Sequence, residues 1–153
     1  RQTNHGHNQT GHKRRQGKTD FANKCRQNHV EQTTDQNATK QGWSQTTGKV
    51  DLVVLVNLLH LISDTEAKTV ITETAQALAS GGVFLLYGPF MRGGELTSEG
   101  DTRFHESLVH SDPDIGYKDD FDVLDWAMSA GLEIAHMLEM PANNLSLVFR
   151  KPE

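Results

Sequence analysis

Asn57, His60, the run Tyr87-Gly88-Pro89-Phe90 and the pair Asn143-Asn144 are the residues of this 153-residue chain best suited to chemistry at a ligand. Asn57 and His60 follow one aliphatic run and Tyr87 to Phe90 close another. Where two such strands lie parallel, ligands bind just beyond their carboxyl ends. An imidazole whose pKa is near neutrality can take a proton from an acceptor hydroxyl or amine, which is the chemistry open to His60. Tyr87 offers a hydroxyl and Phe90 an apolar wall, while Gly88 permits close approach and Pro89 stiffens the turn. Asn143 and Asn144 supply neutral donors and acceptors to orient a polar molecule. Each has a structural alternative. A strand-end Asn57 satisfies backbone groups, His60 packs between Leu59 and Leu61, Tyr87 to Phe90 form a corner, and asparagines are ordinary turn residues.

The elements that must position these groups are legible from Asp51 to Phe90. Leu52 to Val56 and Val83 to Tyr87 read as buried strands, and a helix between them implies a parallel β-α-β unit covered on both faces. Ser63-Asp64-Thr65-Glu66 fits a capping box. Ala67, Val70, Ile71, Thr74 and Leu78 follow at helical spacing as a sheet-facing stripe, and Ser80-Gly81-Gly82 marks the stop.

Gly88 to Gly116 reads as a long connection with a helical turn or two around Thr102 to Val109, where Phe104, Leu108 and Val109 pack together. A connection of this length suits a lid, with Ser98, Phe104, Ser107 and Asp112 over the acceptor side, or a solvated loop. Asp119 or Asp120 then caps a helix carrying Phe121, Leu124, Ala127 and Met128 on one side. Leu132 to Met140 and Leu145 to Arg150 read as an antiparallel hairpin around Pro141 to Asn144. The order from Lys49 is β-α-β-α-β-β, an α/β, Rossmann-like arrangement. The acidic cluster Asp112, Asp114, Asp119, Asp120 and Asp122 lacks a cation-binding loop pattern, and capping accounts for two of its members.

Composition divides the chain at Gly48. Residues 1–48 hold one aliphatic side chain larger than alanine, Val30, and carry 8 Lys+Arg against 3 Asp+Glu. Residues 49–153 carry 7 against 17. So polar a segment does not offset the entropy of ordering its backbone, and 1–48 is expected to be disordered, with 49–153 as the α/β domain. The basic arm lacks interleaved aromatics, so nucleic-acid binding is not expected. His5, His7 and His12 define no metal site, and no structural metal is expected. A single cysteine, Cys25, with only His29 nearby as a base, suits a reducing, cytoplasmic compartment. No apolar stretch is long enough to span a bilayer.

Four segments together, VDLVVLVNLLHLIS, GGVFLLYGPF, TSEGDTRFHESLVHSDPDIGYKDDFDVLDWAMSAGLE and EMPANNLSLVFRK, resemble one family over about Val50 to Lys151. It is the uncharacterised methyltransferase-like family that contains methyltransferase-like protein 26, with a class I S-adenosylmethionine-dependent fold. The resemblance implies the C-terminal half of that sheet, closing on an antiparallel final strand. It also implies S-adenosylmethionine as cofactor, with contacts at Asn57 and Leu58. The acceptor side would be Tyr87, Gly88, Pro89, Phe90, Asn143 and Asn144, with His60 as the catalytic candidate. Such enzymes bind the cofactor mainly through an N-terminal strand and Gly-rich turn. No hydrophobic strand precedes Gly6, Gly11 or Gly17 here. Thr33-Thr34-Asp35-Gln36 resembles the acidic end of the family's second strand, but only residues 36–49 separate Asp35 from Val50. The reading is a methyltransferase of unknown acceptor, impaired in this chain. Its alternative is a non-catalytic module that self-associates through an uncovered sheet edge.

Overall fold

The computed structural model describes residues 37–153; the polar stretch before them, with Cys25, His29, the three early histidines and Thr33 to Gln36, lies outside the described residues. In chain order come helix α1 (Trp43–Thr47), strand β1 (Val50–Val56), a 3-10 turn (Leu59–Leu61), α2 (Asp64–Ala77) and β2 (Leu78–Met91). They are followed by α3 (Glu99–Ser111), β3 (Lys118–Asp119), α4 (Asp120–Ser129), β4 (Glu133–Glu139), a 3-10 turn (Pro141–Asn143) and β5 (Asn144–Arg150).

α2 starts where the capping box requires. The Ser63 hydroxyl accepts the Glu66 N–H and the Glu66 carboxylate accepts the Ser63 N–H, which satisfies two of the helix's free donors. Its stripe, Ala67, Val70, Ile71 and Thr74, is fully buried and continues into Leu78. The stop differs from the glycine signal. Leu78 already has extended backbone, and β2 runs through Ser80-Gly81-Gly82. The glycines serve the strand instead. Gly81 takes φ 75°, its N–H donates to the Lys151 carbonyl, and Lys151 donates back to Gly82. A Cβ on Gly82 would lie 2.8 Å from the Ala79 carbonyl, so that bend needs glycine.

β1 and β2 are parallel, with Leu52 beside Val83, Val54 beside Leu85 and Val56 beside Tyr87. β5 is antiparallel to β2, and β4 to β5, giving the sheet order β1-β2-β5-β4. The hairpin is as expected, with β5 inserted next to β2. β3 adds a short parallel pairing at Phe90 and Met91.

The core fills one side of the sheet. Phe84, Leu86 and Phe90 of β2 and Leu145, Leu147 and Phe149 of β5 meet Val70 and Ile71 of α2 and Val123 and Ala127 of α4. Phe84 and Phe149 stack at 5.9 Å. Cover on both faces is therefore met on one face only within the described residues. On the other, Leu52, Val54 and Val56 are 58%, 53% and 54% exposed.

Two further expectations are revised. The connection after β2 carries a full helix, α3, with no buried residue, so Phe104 and Val109 lie at the surface. Asp119 caps α4 as expected, but the helix buries Val123 and Ala127 and turns Phe121 and Met128 outward. Residues 37–48 precede β1 within the described structure. There the Glu73 carboxylate of α2 accepts the N–H groups of Gly42 and Ser44 and fixes the start of α1. Among the described residues, no helix is long and apolar enough to cross a membrane.

Candidate functional site

Asn57 follows the last residue of β1 in the left-handed region, φ 55°, a conformation asparagine tolerates better than most side chains. Its N–H donates to the Tyr87 carbonyl at 2.9 Å, which clamps the carboxyl ends of the two parallel strands together. Gly88 lies against it: a Cβ there would sit 3.5 Å from the Asn57 Oδ1. The Asn57 side chain is exposed and makes no hydrogen bond with the described residues, so an amide donor and acceptor remain free at this rim. Leu58 is partly buried against the core.

Tyr87 shares the open face with Val56 and Ser146 by register. Pro89 pairs with Asn144, whose side chain donates to the Pro141 carbonyl inside the turn. Phe90 is a core residue. Thus Asn57, Tyr87, Gly88, Pro89 and Asn144 share one end of the sheet.

His60 lies 7% exposed in the 3-10 turn, its ring edge-on to Phe104 (5.8 Å) and Tyr117 (6.2 Å). Its carbonyl accepts the Gly116 N–H. Burial first, and the Lys118 charge second, hold the imidazole below its ordinary value of 6.5, so it is neutral at neutral pH.

Asn143 points to a centre that the sequence did not reveal. Its amide donates to Asp101 Oδ2 at 3.0 Å, and the same carboxylate accepts from Ser98 (2.7 Å), Thr97 (2.9 Å) and the Tyr117 hydroxyl (2.9 Å). Burial pushes the Asp101 carboxyl up, but these four donors outweigh it and hold it below the usual range. Burial and the Asp101 partner together raise the Tyr117 phenol. The Tyr117 N–H donates to His105 Nδ1 at 3.0 Å. Opposite Asp101, Arg92 grips Glu139 with two hydrogen bonds and also donates to the Phe90 and Asn143 carbonyls. The Ser98-x-x-Asp101 spacing is a legible helix-start signal; the Tyr117 and Asn143 partners are not, because both arrive through tertiary folding.

Lys118 is a second unanticipated anchor. Buried at 5% exposure, its ammonium donates to the carbonyls of Ile62 (2.8 Å) and Gly116 (3.0 Å) and lies 3.4 Å from Asp64. Clefts of about 600 and about 470 Å³ flank α2, but neither is lined by any sequence-derived candidate. The candidates line an open rim, beside the sheet face that the described residues leave uncovered.

A family model described as protein of unknown function (DUF938) matches residues 5–151, and the chain belongs to that family. The match begins well before the Val50 from which the resemblance is legible. Among solved structures, an O-methyltransferase family protein from Burkholderia thailandensis is similar at TM-score 0.67 and 18% identity, over 88% of this chain and 41% of its own. Human N-acetylserotonin methyltransferase in complex with SAM is similar at TM-score 0.66 and 13% identity, over 78% of this chain and 33% of its own. CalO1, a methyltransferase of calicheamicin biosynthesis in its SAH-bound form, is similar at TM-score 0.61 and 12% identity, over 78% and 34%. The chain thus has the methyltransferase-like, Rossmann-like α/β fold and spans less than half the length of each of these structures.

Proposed function

We propose that this DUF938 chain, a relative of methyltransferase-like protein 26, carries the acceptor-side half of an S-adenosylmethionine-dependent methyltransferase. The observation that supports this most is the Asn57–Gly88 contact at the carboxyl ends of two parallel strands, where sheets of this kind receive ligands. An exposed amide beside a glycine where an added Cβ would meet Asn57 at ordinary contact distance fits a polar cofactor. The donor supplies an electrophilic methyl group on sulfur; the chain's own task is to hold and orient. Asn57 and Leu58 lie on the donor side. Tyr87, Gly88 and Pro89, with Phe90 behind them and Asn143 and Asn144 across from them, form the acceptor side. His60, neutral and buried, is the candidate proton acceptor. Donor affinity is weak in this chain on this reading, because the sequence of residues 1–48 lacks an aliphatic run leading into a glycine-rich pattern. The acceptor is a small molecule or another methyl acceptor, with no role expected for a membrane or nucleic acid, and the lone Cys25 suits a cytoplasmic setting.

Calorimetric titration with S-adenosylhomocysteine tests this reading. Weak heat that Asn57→Ala abolishes is expected, whereas no heat at high micromolar ligand defeats the enzyme reading for this polypeptide. Among the described residues the outer edge of β1 has no neighbouring strand, which favours a second reading, a module that associates through that edge.

A further inference from the structure

His60 is only 7% exposed, yet its imidazole makes no hydrogen bond with the described residues. Neither ring nitrogen is sealed from solvent, so the ring keeps its donor and its acceptor for an incoming molecule. A histidine that accepts a proton is ordinarily oriented by a hydrogen bond at its second nitrogen. Among the described residues His60 has none, and its plane is set by packing.

Three successive residues supply that packing. Gly116 donates its N–H to the His60 carbonyl at 3.1 Å, Tyr117 sets its ring edge-on to the imidazole at 6.2 Å, and Lys118 donates to the Ile62 carbonyl at 2.8 Å. Phe104 of α3 is edge-on to His60 at 5.8 Å and to Tyr117 at 6.0 Å. The three rings thus meet pairwise in the T-shaped arrangement that such pairs prefer.

The two walls of the imidazole differ. Phe104 is 45% exposed and has no polar side-chain atom to fix it. Tyr117 is 8% exposed and is held at both ends, its N–H by His105 Nδ1 at 3.0 Å and its hydroxyl by Asp101 Oδ1 at 2.9 Å. Asp101 and His105 stand one turn apart on the same face of α3. Gly116 permits this grip: it takes φ 139°, and a Cβ there would lie 2.9 Å from the His105 ring.

Resting on the reading of His60 as the proton acceptor, we propose that Tyr117 is its positioning residue and that Asp101 acts on His60 only through Tyr117. The phenol ring fixes the plane of the imidazole and leaves both nitrogens unbonded. A fixed plane matters, because a misplacement of about 1 Å can lower a rate by about a hundredfold. Lys118 anchors the backbone of the turn, whereas Tyr117 orients the ring that the turn carries.

The test is the imidazole NMR spectrum of the full chain, titrated from about pH 5 to 8, the range in which histidine charge changes. His60→Leu identifies the His60 resonances, and His136 on β4 serves as the internal control. Tyr117→Leu is expected to move the His60 resonances toward free-imidazole positions. It should also raise the midpoint toward 6.5, because water then reaches a ring that burial holds below that value. The His136 resonances should stay where they are. Tyr117→Phe keeps the ring and loses only the hydroxyl, so it is expected to preserve most of the parent's pattern. Asp101→Ala should move the His60 resonances in the parent but no further in the Tyr117→Phe background. Unchanged His60 resonances in Tyr117→Leu, or an Asp101→Ala effect as large in the Tyr117→Phe background as in the parent, overturns the proposal. The S-adenosylhomocysteine titration of the parent judges the methyl-donor reading separately. No heat there removes the proton-acceptor role, while the resonances still decide whether Tyr117 orients His60.

Discussion

Asn143 reaches Asp101 across 3.0 Å and joins the turn of the C-terminal hairpin to the first turn of α3. The turn accepts strain to do so: Ala142 and Asn143 both lie in the left-handed region, at φ 58° and 59°. Arg92 holds the same residue from the other side through its carbonyl. Asp101 therefore fastens the surface helix to the sheet end, and its saturation with donors makes it an anchor rather than a base.

Removing this anchor has a defined signature. Asp101→Ala is expected to lower unfolding free energy by about 2 kcal/mol in urea, because Tyr117 and Asn143 lose their acceptor. Asn143→Gly is expected to cost less than Asn143→Ala. Both lose the amide, but only alanine retains the left-handed penalty, about 1 kcal/mol. Equal losses for the glycine and alanine variants would show that the turn stores no strain.

Acid sensitivity is expected in two steps. The folded state holds His60 below 6.5, so the unfolded chain binds its proton first, and stability falls as pH drops below 6.5 until the folded value is passed. Asp101 is depressed below 3.8, so its contribution is complete above that pH and is lost as pH falls through its folded value. Urea titrations of His60→Leu across pH 7 to 3 (roughly the span of these two ordinary values) should lack the upper step and keep the lower. Retention of the upper step would reassign it to another group.

Lys118→Met should destabilise by about 3 kcal/mol, since two buried carbonyls lose a charged donor and water has little access to replace it. The exposed Asp64 adds little to this. Raising the salt concentration should therefore leave the loss nearly unchanged; a loss that shrinks sharply in salt would place the stabilisation in the ion pair instead.

Gly88 separates folding from binding. A methyl group there meets Asn57 at ordinary contact distance, so Gly88→Ala is expected to shift the melting temperature by only a few degrees, equivalent to less than about 1 kcal/mol. Gly88→Val should displace Asn57 and weaken S-adenosylhomocysteine binding by roughly tenfold, as expected for one disturbed polar contact. Unchanged affinity in the valine variant would remove Gly88 from the site.

The elements and much of their order are legible in the residues alone. The capping box at Ser63, the stripe from Ala67 to Thr74 and the run from Leu52 to Val56 are local signals, and local signals are sufficient where one helix must cover one strand pair. The parallel pairing of Leu52 to Val56 with Val83 to Tyr87 and the final hairpin were legible for the same reason. Helix α3 was only half visible, because its burial is too slight to impose a clear apolar period. On α4 the apolar residues point two ways, and only packing against the sheet selected Val123 and Ala127 over Phe121 and Met128. Tertiary structure alone brought Asn143 and Tyr117 to Asp101 and seated Lys118 among distant carbonyls. Those contacts join residues far apart in the chain, and no spacing rule encodes a meeting that exists only after the chain has folded.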